Sequence, residues 1–103
     1  LYDDWAAQER ERLYSMLRNV RVKLAEDLLS IQDYRAALDV ANDIYANDPF
    51  DEDGVRISIS SLKALDRAGD AIRLYREYCR RLDSELGLPP SKKLAELAGD
   101  NKR

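Results

Sequence analysis

The sequence predicts an all-α chain of about five helices arranged as antiparallel helix-turn-helix repeats. Three observations carry this. Apolar residues recur at helical spacing over long stretches, polar capping residues interrupt the chain between those stretches, and the sequence aligns with itself after a shift of 34 residues.

The first helix runs from about Trp5 to Ile31, with apolar residues at Leu13, Met16, Leu17, Val20, Leu24, Leu28 and Ile31. Charged residues such as Arg10, Glu11, Arg18, Arg21, Glu26 and Asp27 fall on its other sides, and Asp3 or Asp4 is its expected N-cap. Asp33 caps a second helix carrying Tyr34, Ala37, Leu38, Ala41, Ile44 and Tyr45. Asn47-Asp48-Pro49 ends it, because the proline ring drives Asp48 out of the helical region. Asp51 caps a third helix reaching about Arg67. Here Val55, Ile57 and Ile59 alternate with Arg56, Ser58 and Ser60, a local strand pattern. The set Val55, Ile59, Leu62 and Leu65 is equally helical, and a lone strand would have no partner in the chain, so helix is expected. A fourth helix spans about Asp70 to Leu86 with Ile72, Tyr75, Tyr78, Cys79, Leu82 and Leu86 inward, and Gly87 follows as its left-handed terminator. Ser91 caps a short fifth helix through Leu94, Leu97 and Ala98 that stops at Gly99. Residues 1–99 read as one domain and Asp100 to Arg103 as a frayed tail.

Composition bounds the function. The 103 residues are 45% hydrophobic and 36% charged, which suits a folded and heavily solvated helical protein. A net charge of -3 disfavours DNA-backbone binding, although clustered Arg could still form a local basic stripe. A single cysteine permits no intrachain disulfide, and no apolar run is long enough to span a membrane, so a cytoplasmic location is expected. The chain begins at Leu1 rather than Met, as a piece of a longer protein would.

The 34-residue shift brings the first helix onto the third and the second onto the fourth. Ala37 falls on Ala71, Leu38 on Ile72, Leu28 on Leu62 and Ala25 on Ile59. Small residues at Ala37 and Ala71 suit a close crossing of antiparallel helices. This period is that of the tetratricopeptide unit, in which one helix pair cannot bury its apolar face unaided. Gln32-Asp33-Tyr34 then occupies the turn where the tetratricopeptide consensus has Gly-Asp-Tyr, and Pro49 sits at the consensus proline. The second repeat departs, with Asp66 for the turn glycine, Ala68 for the tyrosine and Asp83 for the proline.

An ordered series narrows the field further: Asp48-Pro49-Phe50, Glu52 and Arg56, Ala71-Ile72-Arg73-Leu74-Tyr75, Glu85-Leu86-Gly87, and Pro90-Ser91. With Trp5, Glu9, Arg10 and Leu13 at the start, it resembles the bacterial transcriptional activator domain, the tetratricopeptide-like segment of antibiotic-regulatory (SARP-type) activators. The resemblance runs from about Tyr2 to Leu97. The chain departs from the family pattern at Gly54 and at Ser58, Ser60 and Ser61, which places the third helix's stability in question, since Gly costs ~1 kcal/mol relative to Ala inside a helix. In the family this domain normally follows a winged-helix DNA-binding domain. The resemblance therefore implies self-association, signal reception or contact with the transcription machinery.

Catalytic chemistry finds little support. There is no His to serve as a base near neutral pH, and Cys79 falls on an apolar helix face, where a structural thiol is expected. No catalytic, metal or cofactor site is predicted. Asp51-Glu52-Asp53-Gly54 resembles a calcium loop only faintly, because Pro49 and Ser60 would occupy its first and last ligand positions, and it reads better as helix N-terminal acids. Two surfaces are candidates for a partner. In the tetratricopeptide register the concave face presents Asn19, Val22, Glu26 and Leu29 from one repeat and Arg56, Ser60 and Lys63 from the next. That groove is a binding face, an ordinary wet surface, or a groove filled by the domain's own flanking helix. Arg73, Arg76 and Arg80 form either a basic stripe toward acidic protein or DNA phosphate, or a solvated face paired with Asp70, Glu77 and Asp83; the second reading is the stronger. Trp5 is expected to pin the first helix to its neighbour.

The leading functional expectation is a protein-interaction module of a bacterial transcriptional regulator, meeting another copy of itself, the transcription machinery or a regulatory partner, with DNA contacted weakly or through a separate domain. A tetratricopeptide scaffold without a transcriptional role is the alternative. A small helical enzyme resembling chorismate mutase is a third, and it would need Arg, Lys and Glu facing one apolar pocket.

Overall fold

The computed structural model describes residues 2–99, so the expected tail, Asp100 to Arg103, lies outside the described residues. Helix α1 spans Tyr2–Ser30, α2 Tyr34–Asn47, α3 Glu52–Ala64 and α4 Ala68–Arg81; a π-helical turn covers Leu82–Leu86 and α5 spans Lys92–Ala98. Among the described residues there is no strand, and no helix is long and apolar enough to cross a membrane. Consecutive helices pack on one another, and α5 folds back onto α3 and α4. This is the predicted all-α arrangement of antiparallel, tetratricopeptide-like helix pairs.

The helix starts follow from short side chains. Asp33 accepts from the Ala36 amide (3.3 Å) and Ser91 from the Leu94 amide (3.1 Å), each satisfying an otherwise unbonded helical N–H. Asp51 accepts from the amides of Asp53 and Gly54 at 3.1 and 3.3 Å. Asp3 and Asp4 are not caps; they lie inside the first turn of α1, where acids suit the helix dipole. Two ends differ from expectation: α3 stops at Ala64 rather than about Arg67, and α4 gives way to the π turn after Arg81. Gly87 (φ 65°) closes that turn in the left-handed region, as expected.

Positive φ also exposes the repeat. Gln32 (φ 65°) and Asp66 (φ 64°) stand 34 residues apart and both adopt the left-handed conformation. Their hydrogen bonds repeat with the same offset. Gln32 N donates to Leu29 O and Asp33 N to Leu28 O, while Asp66 N donates to Lys63 O and Arg67 N to Leu62 O. The two turns are one device used twice, although neither has the glycine that would adopt it without strain.

The core has two parts. Ala25, Ala37, Ala41 and Ile57 bring α1, α2 and α3 close through small side chains. Leu38, Val55, Ile59, Leu62, Tyr75, Tyr78, Leu82 and Leu94 form a bulkier cluster among α2 to α5. The alternation at Val55, Ile57 and Ile59 now has a cause. Helix α3 meets α1, α2, α4 and α5, so it is buried nearly all round, Ser58 and Ser61 included. Gly54 lies buried in its first turn, where a Cβ would approach Ile44 Cγ2 to 2.9 Å and the Tyr45 amide nitrogen to 3.2 Å. The doubt that this glycine cast on α3 resolves: its missing side chain lets the start of α3 approach α2.

Two burial expectations are corrected, and α1 turns a face to solvent that its spacing alone did not place. Ile72 and Leu86, placed inward by spacing, are 41% and 50% exposed. Trp5 does not pin α1 into the core and is 59% exposed. Most consequential, the long apolar stripe of α1 faces outward: Leu13, Met16, Leu17, Val20 and Leu24 are all exposed. Helix α1 instead rests on Ala25, with Val22, Leu28 and Leu29 half-buried beside it, a narrower face that admits the alanines of α2.

Two predictions follow from this backbone. Gln32→Gly and Asp66→Gly should each stabilise the chain by about 1 kcal/mol in urea unfolding, because each relieves a left-handed non-glycine residue. Gly54→Val should cost about 2 kcal/mol in the same measurement, since the crowding at Ile44 outweighs the better helix propensity.

Candidate interaction surfaces

The groove between α1 and α3 is built by charge. Arg18, on α1, donates from Nε and one Nη to the two Asp51 oxygens at 2.7 and 2.9 Å, and to Asp53 Oδ2 at 2.6 Å. Arg56, on α3, reaches back to Glu26 on α1 at 2.7 Å and touches Asp53 at 3.1 Å. Five side chains thus form one chain of ion pairs across the two helices. Asp51 is nearly buried; burial raises its pKa, but the Arg18 guanidinium and the α3 amides more than offset this and hold it below its ordinary value near 3.8.

This network redistributes the residues expected on the concave face. Glu26 and Arg56 face the groove but are bonded to each other. Val22 and Leu29 are half-buried in the α1–α2–α3 core, while Asn19 is exposed. Lys63 donates to the Leu97 carbonyl at 2.7 Å, at the end of α5. Ser91, ahead of α5, donates to Glu52 at 2.6 Å, and Leu94 is buried under it. At the Ser60–Lys63 end, α5 therefore lies against α3, so the part of the groove nearest Lys63 is occupied by the chain itself.

The expected basic stripe is largely paired. Arg73 contacts Asp70, and Arg80 donates to Glu77 at 3.1 and 2.5 Å; Arg76 is exposed. Asp83 does not enter these bonds. Between α1 and the α2–α3 corner lies an open cleft of about 630 Å³, whose walls include Tyr14, Leu17, Arg21, Ile44 and Asp48. Arg18 lines it too, but its guanidinium is committed to Asp51.

The outer face of α1 was not among the surfaces expected from the sequence. Its seven large apolar side chains, together with the adjoining Ile31, are 44–70% exposed. Scattered exposed apolar residues are ordinary; here they form a row along one helix. The ion-pair network was also missed, because Arg18 and Asp51 are 33 residues apart and no local pattern joins them.

Asp51→Asn should lower stability by about 1–2 kcal/mol at pH 7, chiefly from the lost charge-assisted pairing with Arg18, since Asn caps a helix about as well as Asp. Because the folded-state pKa of Asp51 is depressed, its contribution is fully present above the ordinary carboxylate range and fades as pH falls through the lowered value. The difference between wild type and variant should therefore shrink below about pH 4, as read by chemical unfolding across a pH series.

A search of curated proteins and one of solved structures each gave no significant match. The family comparison did give one: the model of the bacterial transcriptional activator domain matches residues 2–100. Nearly the whole chain lies within that match, in agreement with the ordered motifs from Asp48 to Ser91, and the chain belongs to the bacterial transcriptional activator domain family.

Proposed function

We propose that residues 1–99 act as one protein-interaction domain of a bacterial transcriptional regulator, and that base reading falls to another part of that regulator. The observation that carries this is the uncovered apolar face of α1. Burying it against a partner would gain roughly 25 cal/mol per Å² of apolar surface removed from water. A surface of this kind suits a protein and is unsuited to phosphate, whose recognition depends on cations. Arg18, Arg56, Arg73 and Arg80 are drawn into internal pairs with carboxylates. With a net charge of -3, a nonspecific DNA role has little electrostatic support. Family membership favours a place in transcription over a free-standing scaffold. A bacterial cytoplasmic location follows from the same reading.

An enzymatic role fits poorly. The cleft beside α1 holds Glu11, Arg18 and Arg21, but it opens to solvent and its central Arg is consumed by Asp51. The domain acts by binding.

Two measurements test this. Fluorescence anisotropy with labelled duplex DNA at about 150 mM salt should show no binding by the chain at micromolar concentration. A bacterial two-hybrid assay with the chain as bait should give a signal against a second copy or against RNA polymerase subunits. Micromolar DNA binding by this chain, or silence in both pairings, would overturn the reading.

A further inference from the structure

The outer face of α1 has a period as well as an apolar character. Leu13, Leu17, Val20, Leu24, Asp27 and Ile31 follow one another at steps of four, three, four, three and four residues, the spacing of a coiled-coil seam. Continued toward the N-terminus, the same steps reach Arg10 and Ala6, so Arg10 and Asp27 share this face rather than lying on other sides of the helix as first expected. The centre of the seam lies about 130° around the helix from the centre of the face that packs on α2, at ~100° per residue, and its large apolar side chains are left exposed. Arg10, Leu13, Tyr14 and Leu17 also line a shallow hollow of about 220 Å³. Four residues at i, i+3, i+4 and i+7 form the hole that receives a side chain from a facing helix.

We propose that the occupant is a second copy of this chain, whose α1 lies antiparallel along the seam with facing residue numbers summing to 37. This deepens the interaction reading above and rests on it. Two charged positions in the seam choose the orientation. In a parallel pair Arg10 would face Arg10 and Asp27 would face Asp27. In the antiparallel register Arg10 faces Asp27 of the other copy, twice, by symmetry. The same register sets Leu17 against Val20, Leu13 against Leu24 and Ala6 against Ile31. Every layer is then apolar or an ion pair of opposite charge. Arg10 is exposed, and the Asp27 side chain is 59% exposed and paired with Lys23 at 2.9 Å, so both remain at the surface.

The available area matches such a dimer. At on the order of 100 Å² for each exposed side chain of the seam and for Met16 beside it, the face offers roughly 600 Å² per copy, the lower end of specific interfaces. Its two-fold form is that of most homodimers, in which the same patch serves both copies.

Sedimentation velocity over a concentration series tests the register. The wild-type chain should dimerise. Val20→Glu should weaken the dimer at least tenfold, because it sets a carboxylate against Leu17. Arg10→Asp should weaken it too, by opposing Asp27 with another carboxylate, and the double change Arg10→Asp with Asp27→Arg should restore it. Circular dichroism should be unchanged throughout, since these sites are exposed. A wild-type chain that stays monomeric at several hundred micromolar would overturn the proposal, as would a dimer indifferent to Val20→Glu and Arg10→Asp, or one that the double change fails to restore. A monomer that still pairs with polymerase subunits in the two-hybrid assay would overturn only self-association and leave the wider interaction reading standing.

Discussion

The Arg18–Asp51 pair fixes how α1 is turned about its own axis, and most of the architecture depends on that rotation. Helix α1 rests mainly on α2 and meets α3 over a smaller area. Asp51 must stay at the start of α3, because it caps two amides there. By accepting both donors of Arg18 it holds the matching side of α1 toward α3. Glu26, two turns further along, is drawn to the same side by Arg56. With two points clamped, Ala25 turns inward and the broader apolar stripe turns out. A buried or half-buried ion pair often adds little net stability, because desolvation opposes the attraction. Its contribution here is orientation, which a purely apolar contact along a stripe with two possible faces would leave undetermined.

Small side chains then set the spacing that the charges orient. Ala25, Ala37, Ala41 and Gly54 let three helices approach closely in the first half of the chain. The second half fills its space with Tyr75, Tyr78, Leu82 and Leu94 instead. The ordered motif residues have a structural task in the same scheme. Asp48 accepts from the Phe50 amide at 3.0 Å, and Phe50 lies beneath the Arg81 guanidinium at 5.7 Å. Glu52 ties Ser91, and through it α5, to the start of α3. The family signature is therefore chiefly a signature of the fold, which is why it identifies the family without naming a partner.

The starts of α2, α3 and α5 were legible in the sequence, because Asp33, Asp51 and Ser91 act locally on amides two or three residues away. The repeat was legible too, even though Gln32 and Asp66 replace the expected glycines, since the helical periods flank both turns. The inward face of α1 was not legible. A sequence period shows that a stripe exists, but a core stripe and a partner stripe have the same spacing. Leu13, Leu17, Val20 and Leu24 outnumber the small buried set around Ala25, so pattern alone did not place the inward side. The deciding signal, a charge at Arg18 meeting one at Asp51, is nonlocal. On the concave face, filling by a flanking helix was among the expected alternatives, and α5 does lie at Lys63; the pairing of Glu26 with Arg56 was not legible, because those residues are 30 apart in sequence.

These internal pairings bear directly on recognition. A charged surface binds through groups that remain unpaired or exchange partners at modest cost, and the groove has few such groups to offer. Arg56 would have to leave Glu26 and Asp53, and the Lys63 end is already covered by α5. The outer face of α1, the surface proposed for a partner, would need no such exchange, because its side chains would trade contact with water for contact with that partner. The clamp that uses up the polar groove is also the device that presents the apolar face, so one arrangement of ion pairs both closes the interior and leaves exposed the surface on which the proposed binding rests.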